Sequence, residues 1–205
     1  MINTPGCLFV ISAPSGAGKT SLVKALLQAN LNLNLSISHT TRPLRPGEVD
    51  GRDYHFISID VFKQMLFNEE FLESAEVYGN YYGTSRQWID EATESGKNIL
   101  LEIDCQGAKQ IKRAFPESIG IFILPPSIDA LASRLKARAQ DDDNIIKKRL
   151  AATREEVSHI GEFDYVIVNH HFDEALKDLI SIVRAAYLNT KRQLIKHQTL
   201  IAQLC

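Results

Sequence analysis

No apolar run in this 205-residue chain approaches the ~20 residues that a membrane-spanning helix needs. No basic segment followed by a long apolar stretch stands near its N-terminus, so neither a span nor a signal peptide is expected. Cysteine is scarce: Cys7, Cys105 and Cys205 are odd in number, far apart and without metal-ligand spacing. That argues against a disulfide framework and for reduced thiols in a cytoplasmic protein. An excess of one charge is also missing. A formal net charge of -2 excludes the electrostatic footprint of a bulk nucleic-acid binder. There is no internal repeat, no disordered tail and no evident Ser–His or paired-carboxylate catalytic set. What remains is a chain with 44% hydrophobic residues, enough for one domain with a sizeable core.

The most informative stretch lies near the start. Leu8 to Ile11 is an apolar run that reads as a buried parallel strand. A small-residue loop follows, and Ser21 to Leu27 opens a helix. Strand, loop, Lys19-Thr20 and helix in that order are the architecture of a phosphate-binding loop. Its small residues let backbone N–H groups converge on phosphate oxygens, and the helix N-terminus favours an anion. Lys19 is placed to reach the β- and γ-phosphates, and the Thr20 hydroxyl to ligate Mg2+. Ala13 stands where the usual pattern has glycine, which is tolerable only if the chain leaves the strand with negative φ.

Alternating elements continue to the C-terminus. A short strand is expected at Leu35–Ser38, and strand-like pieces at Tyr54–Ile57 and Tyr81–Thr84 suggest a small appended sheet. Ile59–Phe67 has helical spacing, Phe71–Val77 reads as a strand, and Ser85–Ser95 as a helix closed by Gly96. The segment 39–54 is dense in Pro, Gly and charge. Its arginines bracket prolines, which pre-position the guanidinium groups as in a binding segment. Asn98–Asp104 reads as a strand ending in an acid, the position from which phosphate-loop enzymes help hold a metal. Gln106–Phe115 is the expected crossover helix, Ile119–Leu124 the next strand, and Ser127 a cap for the helix through Leu135. Arg134 and Arg138, four apart, can converge on one anion. Tyr165–Val168 is the last strand, ending at Asn169; His170 and His171 after it are read as exposed loop residues. Helix then runs from Asp173 to Leu204, with a break only near Asn189. Such alternation predicts an α/β fold with a parallel sheet and ligands at the carboxyl ends of its strands.

Ser12–Thr20, then Ser38–Tyr54, then Gly79-Asn80-Tyr81-Tyr82-Gly83-Thr84, Ile103-Asp104-Cys105-Gln106-Gly107 and Val168-Asn169 together resemble guanylate kinase, in its compact bacterial form, over nearly the whole chain. The resemblance implies a P-loop NTPase-type sheet flanked by helices, with a small mixed α/β GMP-binding insertion and a helical lid. The implied parts are a core of 1–34, 93–133 and 157–205, an insertion at 35–92 and a lid at 134–156, within one domain of about 5–188. The implied reaction is reversible, Mg2+-dependent transfer of the γ-phosphoryl of ATP to GMP.

By resemblance, ATP is held by Ala13, Pro14, Ser15, Gly16, Ala17, Gly18, Lys19, Thr20 and Ser21, with Asn169 near the adenine. GMP is surrounded by Ser38, Arg42, Arg45, Glu48, Tyr54, Glu73, Tyr82, Thr84, Glu102 and Asp104. Lys19, Arg42, Arg134, Arg138 and Arg149 act on the transferring phosphoryl, and Thr20 and Asp104 serve the metal. Three positions depart from the common pattern: Ala13 replaces the first loop glycine, Ala139 follows Arg138 where glycine is usual, and Glu102 stands where some members have Asp. ATP and GMP are the expected partners, without nucleic acid or membrane, and the C-terminal helices are the expected surface for any self-association.

Two other readings compete. Guanylate-kinase-like domains also serve scaffolds as peptide-binding modules with a degraded nucleotide site, but Lys19, Thr20, Asp104 and the three lid-region arginines are all kept here. A GTPase would need a guanine-reading Asn-Lys-x-Asp stretch, which is absent. Among kinases of other monophosphates the discriminating residue is Glu73, whose carboxylate can accept both N1–H and N2–H of guanine. Leaving such a group unpaired against the wrong base can give roughly 10^4 discrimination.

Overall fold

Every residue of strand β1 (Leu8–Ser12) is buried, which only a strand covered on both faces allows. In the computed structural model, which describes residues 4–29, 31–77, 79–137 and 143–204, β1 is the centre of a five-stranded parallel sheet. It pairs with β7 (Asn98–Glu102) on one side and β8 (Ile119–Leu124) on the other. The sheet is completed by β2 (Leu33–Leu35) beside β7 and β9 (Tyr165–Val168) beside β8, in the order β2-β7-β1-β8-β9.

The alternation of β1 decides what covers each face. Phe9 and Ile11 pack with Leu22 and Leu26 of α1 (Lys19–Gln28) and with Leu179 and Val183 of α7 (Phe172–Tyr187). Leu8 and Val10 point the other way, to Ile89 and Ala92 of α3 (Arg86–Glu94) and Ala108 and Ile111 of α4 (Cys105–Ala114). The apolar side chains of each helix recur three or four residues apart, so one stripe of each is spent on the sheet.

A second sheet sits beside the carboxyl ends of the first. It joins β3 (His39–Thr40), β4 (His55–Phe56), β5 (Phe71–Val77) and β6 (Asn80–Ser85) in the order β4-β3-β6-β5. β3 and β4 are parallel, and β6 runs antiparallel to both β3 and β5. Helix α2 (Ile59–Phe67) starts on Ser58, whose hydroxyl accepts from Val61 N at 3.2 Å, and covers this sheet with Phe62 stacked on Phe71 at 4.4 Å.

Two expected strands shift. The strand expected at Leu35–Ser38 is instead β2, Leu33–Leu35. Ser36 N still donates to Leu100 O at 2.9 Å, after which the chain leaves the core sheet for β3. The strand expected to end in Asp104 ends at Glu102, because Asp104 caps α4 and its Oδ1 accepts from Gly107 N at 2.8 Å. Farther on, the Ser127 hydroxyl accepts from Ala130 N at 3.0 Å at the start of α5 (Ile128–Ala137). Helix α6 (Asp143–Ser158) leads into a 3-10 turn at Ile160–Glu162. The C-terminal helical stretch breaks at Asn189, whose side chain caps α8 (Thr190–Lys196), and ends with α9 (Gln198–Leu204). Arg138 and Cys205 lie outside the described residues. Arg149 contributes its backbone to α6, and its side chain lies outside them. Among the described residues no helix is long and apolar enough to cross a membrane.

Candidate functional site

The loop between β1 and α1 is shaped by glycine. Gly16 and Gly18 have φ of 92° and 98°, a region that costs other residues roughly 1–2 kcal/mol. Gly18 is also crowded, since a methyl there would overlap the amide nitrogen of Asn169. Ala13, at the position where glycine was expected, is not among the residues with positive φ, so its side chain is accommodated as anticipated. Helices α2, α3 and α4 begin on side-chain caps, Ser58, Ser85 and Asp104, whereas α1 begins on Gly18 with no side-chain acceptor. Helix α7 likewise starts on His171 without a side-chain cap, but the α1 N-terminus, with Gly18, Lys19 and Thr20 on the cavity wall, stands where a helix end favours an anion. Lys19 Nζ donates to Ile103 O at 2.9 Å, and the Thr20 hydroxyl donates to Glu102 Oε1 at 2.5 Å. Both functional side chains thus lie over the junction between β7 and α4.

A cavity of about 260 Å³ opens from this loop toward the second sheet. Ala13 to Gly16, Gly18, Lys19 and Thr20 line one end; Ser38, Arg45, Tyr54, Glu73 and Tyr82 line the other; Glu102 and Asp104 lie along it. These lining residues come from both sheets and from segments as distant in sequence as 13 and 104. Thr84 sits behind Glu73 and donates its hydroxyl to Oε1 at 2.6 Å. Glu73 is 3% exposed, and burial pushes its carboxyl up to about 7. Burial, reinforced by the Glu102 carboxylate and Tyr82, pushes the Tyr54 phenol up to about 12, so it remains a donor at neutral pH.

Other expected site residues do not line the cavity. Arg42 is buried, clasped by both oxygens of Glu48 at 2.7 and 3.0 Å, with its guanidinium 5.4 Å from the Tyr54 ring centre. Glu48 also accepts from Arg45 N at 2.8 Å, so it fastens Arg42 to the Arg45 backbone. The Arg42 hydrogen bond holds its carboxyl below the usual range. Asn169 is buried, and its amide donates to Ala17 O at 2.8 Å. Arg134 donates to Ala17 O at 3.2 Å and Asn169 O at 3.1 Å. These two residues brace the phosphate loop from behind, and Ala17 and Ser21 likewise stay off the cavity wall.

The oxygens of Thr20, Glu102 and Asp104 are hard donors suited to Mg2+. Among the described residues no group of three or more His, Cys, Asp or Glu is placed to hold a metal.

A phosphate loop and a buried carboxyl facing one another across a single cavity is a nucleotide-to-nucleotide arrangement, and the comparison with known families agrees. The model of the family described as guanylate kinase matches residues 6–186. The chain belongs to the guanylate kinase family. It is 59% identical over 204 residues to the guanylate kinase of Nitrosospira multiformis, covering 100% of this chain and 97% of that protein. It is 56% identical to that of Nitrosomonas europaea, covering 96% and 98%. Among solved structures, the guanylate kinase from Anaplasma phagocytophilum superposes with a TM-score of 0.78 at 34% identity, over 94% of this chain and 92% of that one.

Within this guanylate kinase fold, the cavity wall includes residues that motif reading passed over. Glu156, near the end of α6, lines the loop end and accepts from the Ser15 backbone. Among the described residues its Oε2 is buried without a hydrogen-bond partner, and burial pushes the carboxyl up to about 7. In sequence it is one of two adjacent glutamates on a polar helix; only its position among the apolar residues of α6 hinted at an inward side. Ala75, Val77 and Ile103 supply the apolar part of the wall.

Proposed function

We infer that the chain catalyses reversible transfer of the γ-phosphoryl group of ATP to GMP, giving ADP and GDP. The observation that supports this best is the single cavity with Lys19 and Thr20 at one end and Arg45, Glu73 and Tyr82 at the other. In this reading ATP phosphates rest on the loop from Ala13 to Ser21, and GMP lies against the second sheet with its phosphate toward the loop. The ionised Glu73 carboxylate accepts the two guanine N–H donors, Ser38 and Thr84 complete the edge, and Arg45, Tyr54 and Tyr82 hold the 5′-phosphate. Arg42 acts beside them through the clasp that fixes Arg45.

The acceptor is a phosphate monoester whose second pKa is about 6, so it arrives largely ionised and needs no general base. The barrier lies in bringing two polyanions together, and phosphoryl transfer is catalysed mainly by positioning and charge. Lys19 neutralises the phosphates directly, and Arg134 keeps the loop rigid from behind. Arg138 and Arg149 close on the transferring group as part of a lid at 134–156. Thr20, Asp104 and Glu102 would hold Mg2+, which when bound supplies positive charge between the phosphates. Closure of the lid and of the insertion at 35–92 over the core excludes water, which would otherwise hydrolyse ATP. The place of work is the cytoplasm, in purine nucleotide supply. Leu188, Leu194, Leu200 and Leu204, all exposed, support the reading that the C-terminal helices carry any self-association, which sedimentation would reveal.

A coupled assay of ADP formation across AMP, CMP, GMP and UMP tests the assignment. GMP should dominate, and Glu73→Gln should erode GMP use while leaving the KM for ATP nearly intact. ADP formation independent of added GMP, or equal losses for both nucleotides, would refute it.

A further inference from the structure

Strand β5 is the part of the second sheet that rests on the core, along helix α4. Leu72 packs into the same apolar cluster as Ala108 and Ile111. Next to it the Gln110 amide forms a two-way clasp with the strand: Nε2 donates to Ser74 O at 2.8 Å, and Ser74 N donates to Oε1 at 3.2 Å. Between these contacts the Glu73 carboxyl lies over Gly107. A methyl at 107 would overlap Oε2 and stand 3.1 Å from Glu73 Cδ and 3.2 Å from Ile103 Cδ1. The other carboxyl oxygen, Oε1, is fixed by the Thr84 hydroxyl at 2.6 Å. The carboxyl therefore has one oxygen held by β6, the other seated on a bare patch of α4, and its backbone neighbour clasped by Gln110.

We propose that Gly107 and Gln110 are positioning residues for purine recognition, setting where the Glu73 carboxyl sits. The proposal rests on the reading of Glu73 as the guanine-reading group. Two parallel N–H donors on one base edge require both oxygens in place together, and a shift of about 1 Å in such a constellation is costly. Alanine suits a helix better than glycine. At 107 the group that must yield is the end of a flexible side chain rather than backbone. Gly107→Ala should therefore fold and still displace Glu73.

The test measures KM for GMP and for ATP, kcat, and the preference for GMP over inosine monophosphate, which lacks the 2-amino donor. Wild type, Gly107→Ala, Gln110→Ala, Gln110→Glu and Glu73→Gln are compared, with thermal melting of each. Gly107→Ala should melt within a few degrees of wild type, raise the GMP KM by roughly 10- to 100-fold, leave the ATP KM unchanged and compress the GMP preference. Gln110→Glu keeps an acceptor for Ser74 N but sets a carboxylate oxygen against Ser74 O, so it should lose at least as much as Gln110→Ala. If Gly107→Ala does not fold, the Gln110 pair decides by the same readouts. Wild-type GMP KM and preference in the folded position-107 and position-110 variants, with both lost in Glu73→Gln, would overturn the proposal and leave the Glu73 reading standing. An unchanged preference in Glu73→Gln would instead remove that reading. Equal rises in both KM values would show general damage to α4 and also overturn the proposal.

Discussion

Gly18→Ala tests the phosphate loop with a single methyl group. The backbone there has φ of 98°, so any side chain costs roughly 1–2 kcal/mol. The new methyl also overlaps the Asn169 amide, which is 5% exposed and donates to Ala17 O at 2.8 Å. Moving that amide gives up its hydrogen bond. Arg134 still reaches Ala17 O at 3.2 Å, so the lower half of the usual penalty applies, about 1–2 kcal/mol. The sum is about 2–4 kcal/mol, or a fall in Tm of roughly 5–15 °C for a chain of this length. The two contributions separate in a four-protein cycle. In an Asn169→Ala background there is no amide to displace, so Gly18→Ala should then cost only its backbone share of about 1–2 kcal/mol. Urea unfolding of wild type, both single variants and the double variant gives the coupling, with ATP titration alongside. Additivity within about 0.5 kcal/mol would show that Asn169 does not brace the loop and would refute the reasoning.

Other outcomes follow from the same geometry. The Glu73 carboxyl titrates at about 7 in the fold against an ordinary 4.5. Between those values the folded state holds a proton that the unfolded state has lost. That contribution, roughly 3 kcal/mol, is fully present below about pH 4.5 and lost as pH rises through about 7. Urea midpoints at pH 5 and 7.5 should show the loss, and Glu73→Gln should remove its own share while leaving that of Glu156, which burial also pushes up to about 7; an unchanged pH dependence in that variant contradicts the assignment. Arg138→Ala should lower kcat by roughly 10^3-fold with little change in the GMP KM. An effect on KM alone would take Arg138 out of the chemical step. Glu48→Ala frees the buried Arg42 and the Arg45 backbone together, and should raise the GMP KM while sparing the ATP KM; equal effects would mean the clasp serves stability only.

Local chemistry made much of this molecule readable. The apolar run at Leu8–Ile11 reads as an inner strand, and the small residues before Lys19-Thr20 as a phosphate loop, because those features act within a few residues. The break at Asn189 and the cap at Ser127 are of the same kind. Long-range contacts were harder to read. Glu73 sits in an alternating strand where a carboxylate ordinarily faces water, and only resemblance to a family singled it out. That Gly107 faces it, 34 positions on, depends on how β5 lies across α4, and no periodicity encodes that. An acid after an apolar run reads the same whether it closes the strand or, like Asp104, caps the next helix. Charge in a loop also does not reveal that Arg42 and Glu48, six apart, clasp each other.

The turn from Glu102 to Gly107 joins matters that seem separate. It holds the acceptors for Thr20 and Lys19, the cap of α4 and the seat beneath Glu73. Inserting or deleting one residue there would move the Lys19–Thr20 end and the Glu73 end of the cavity in the same stroke. An engineer seeking an enzyme for another base would do better to rework Ser38, which lines the cavity wall from the second sheet, and to leave this turn alone.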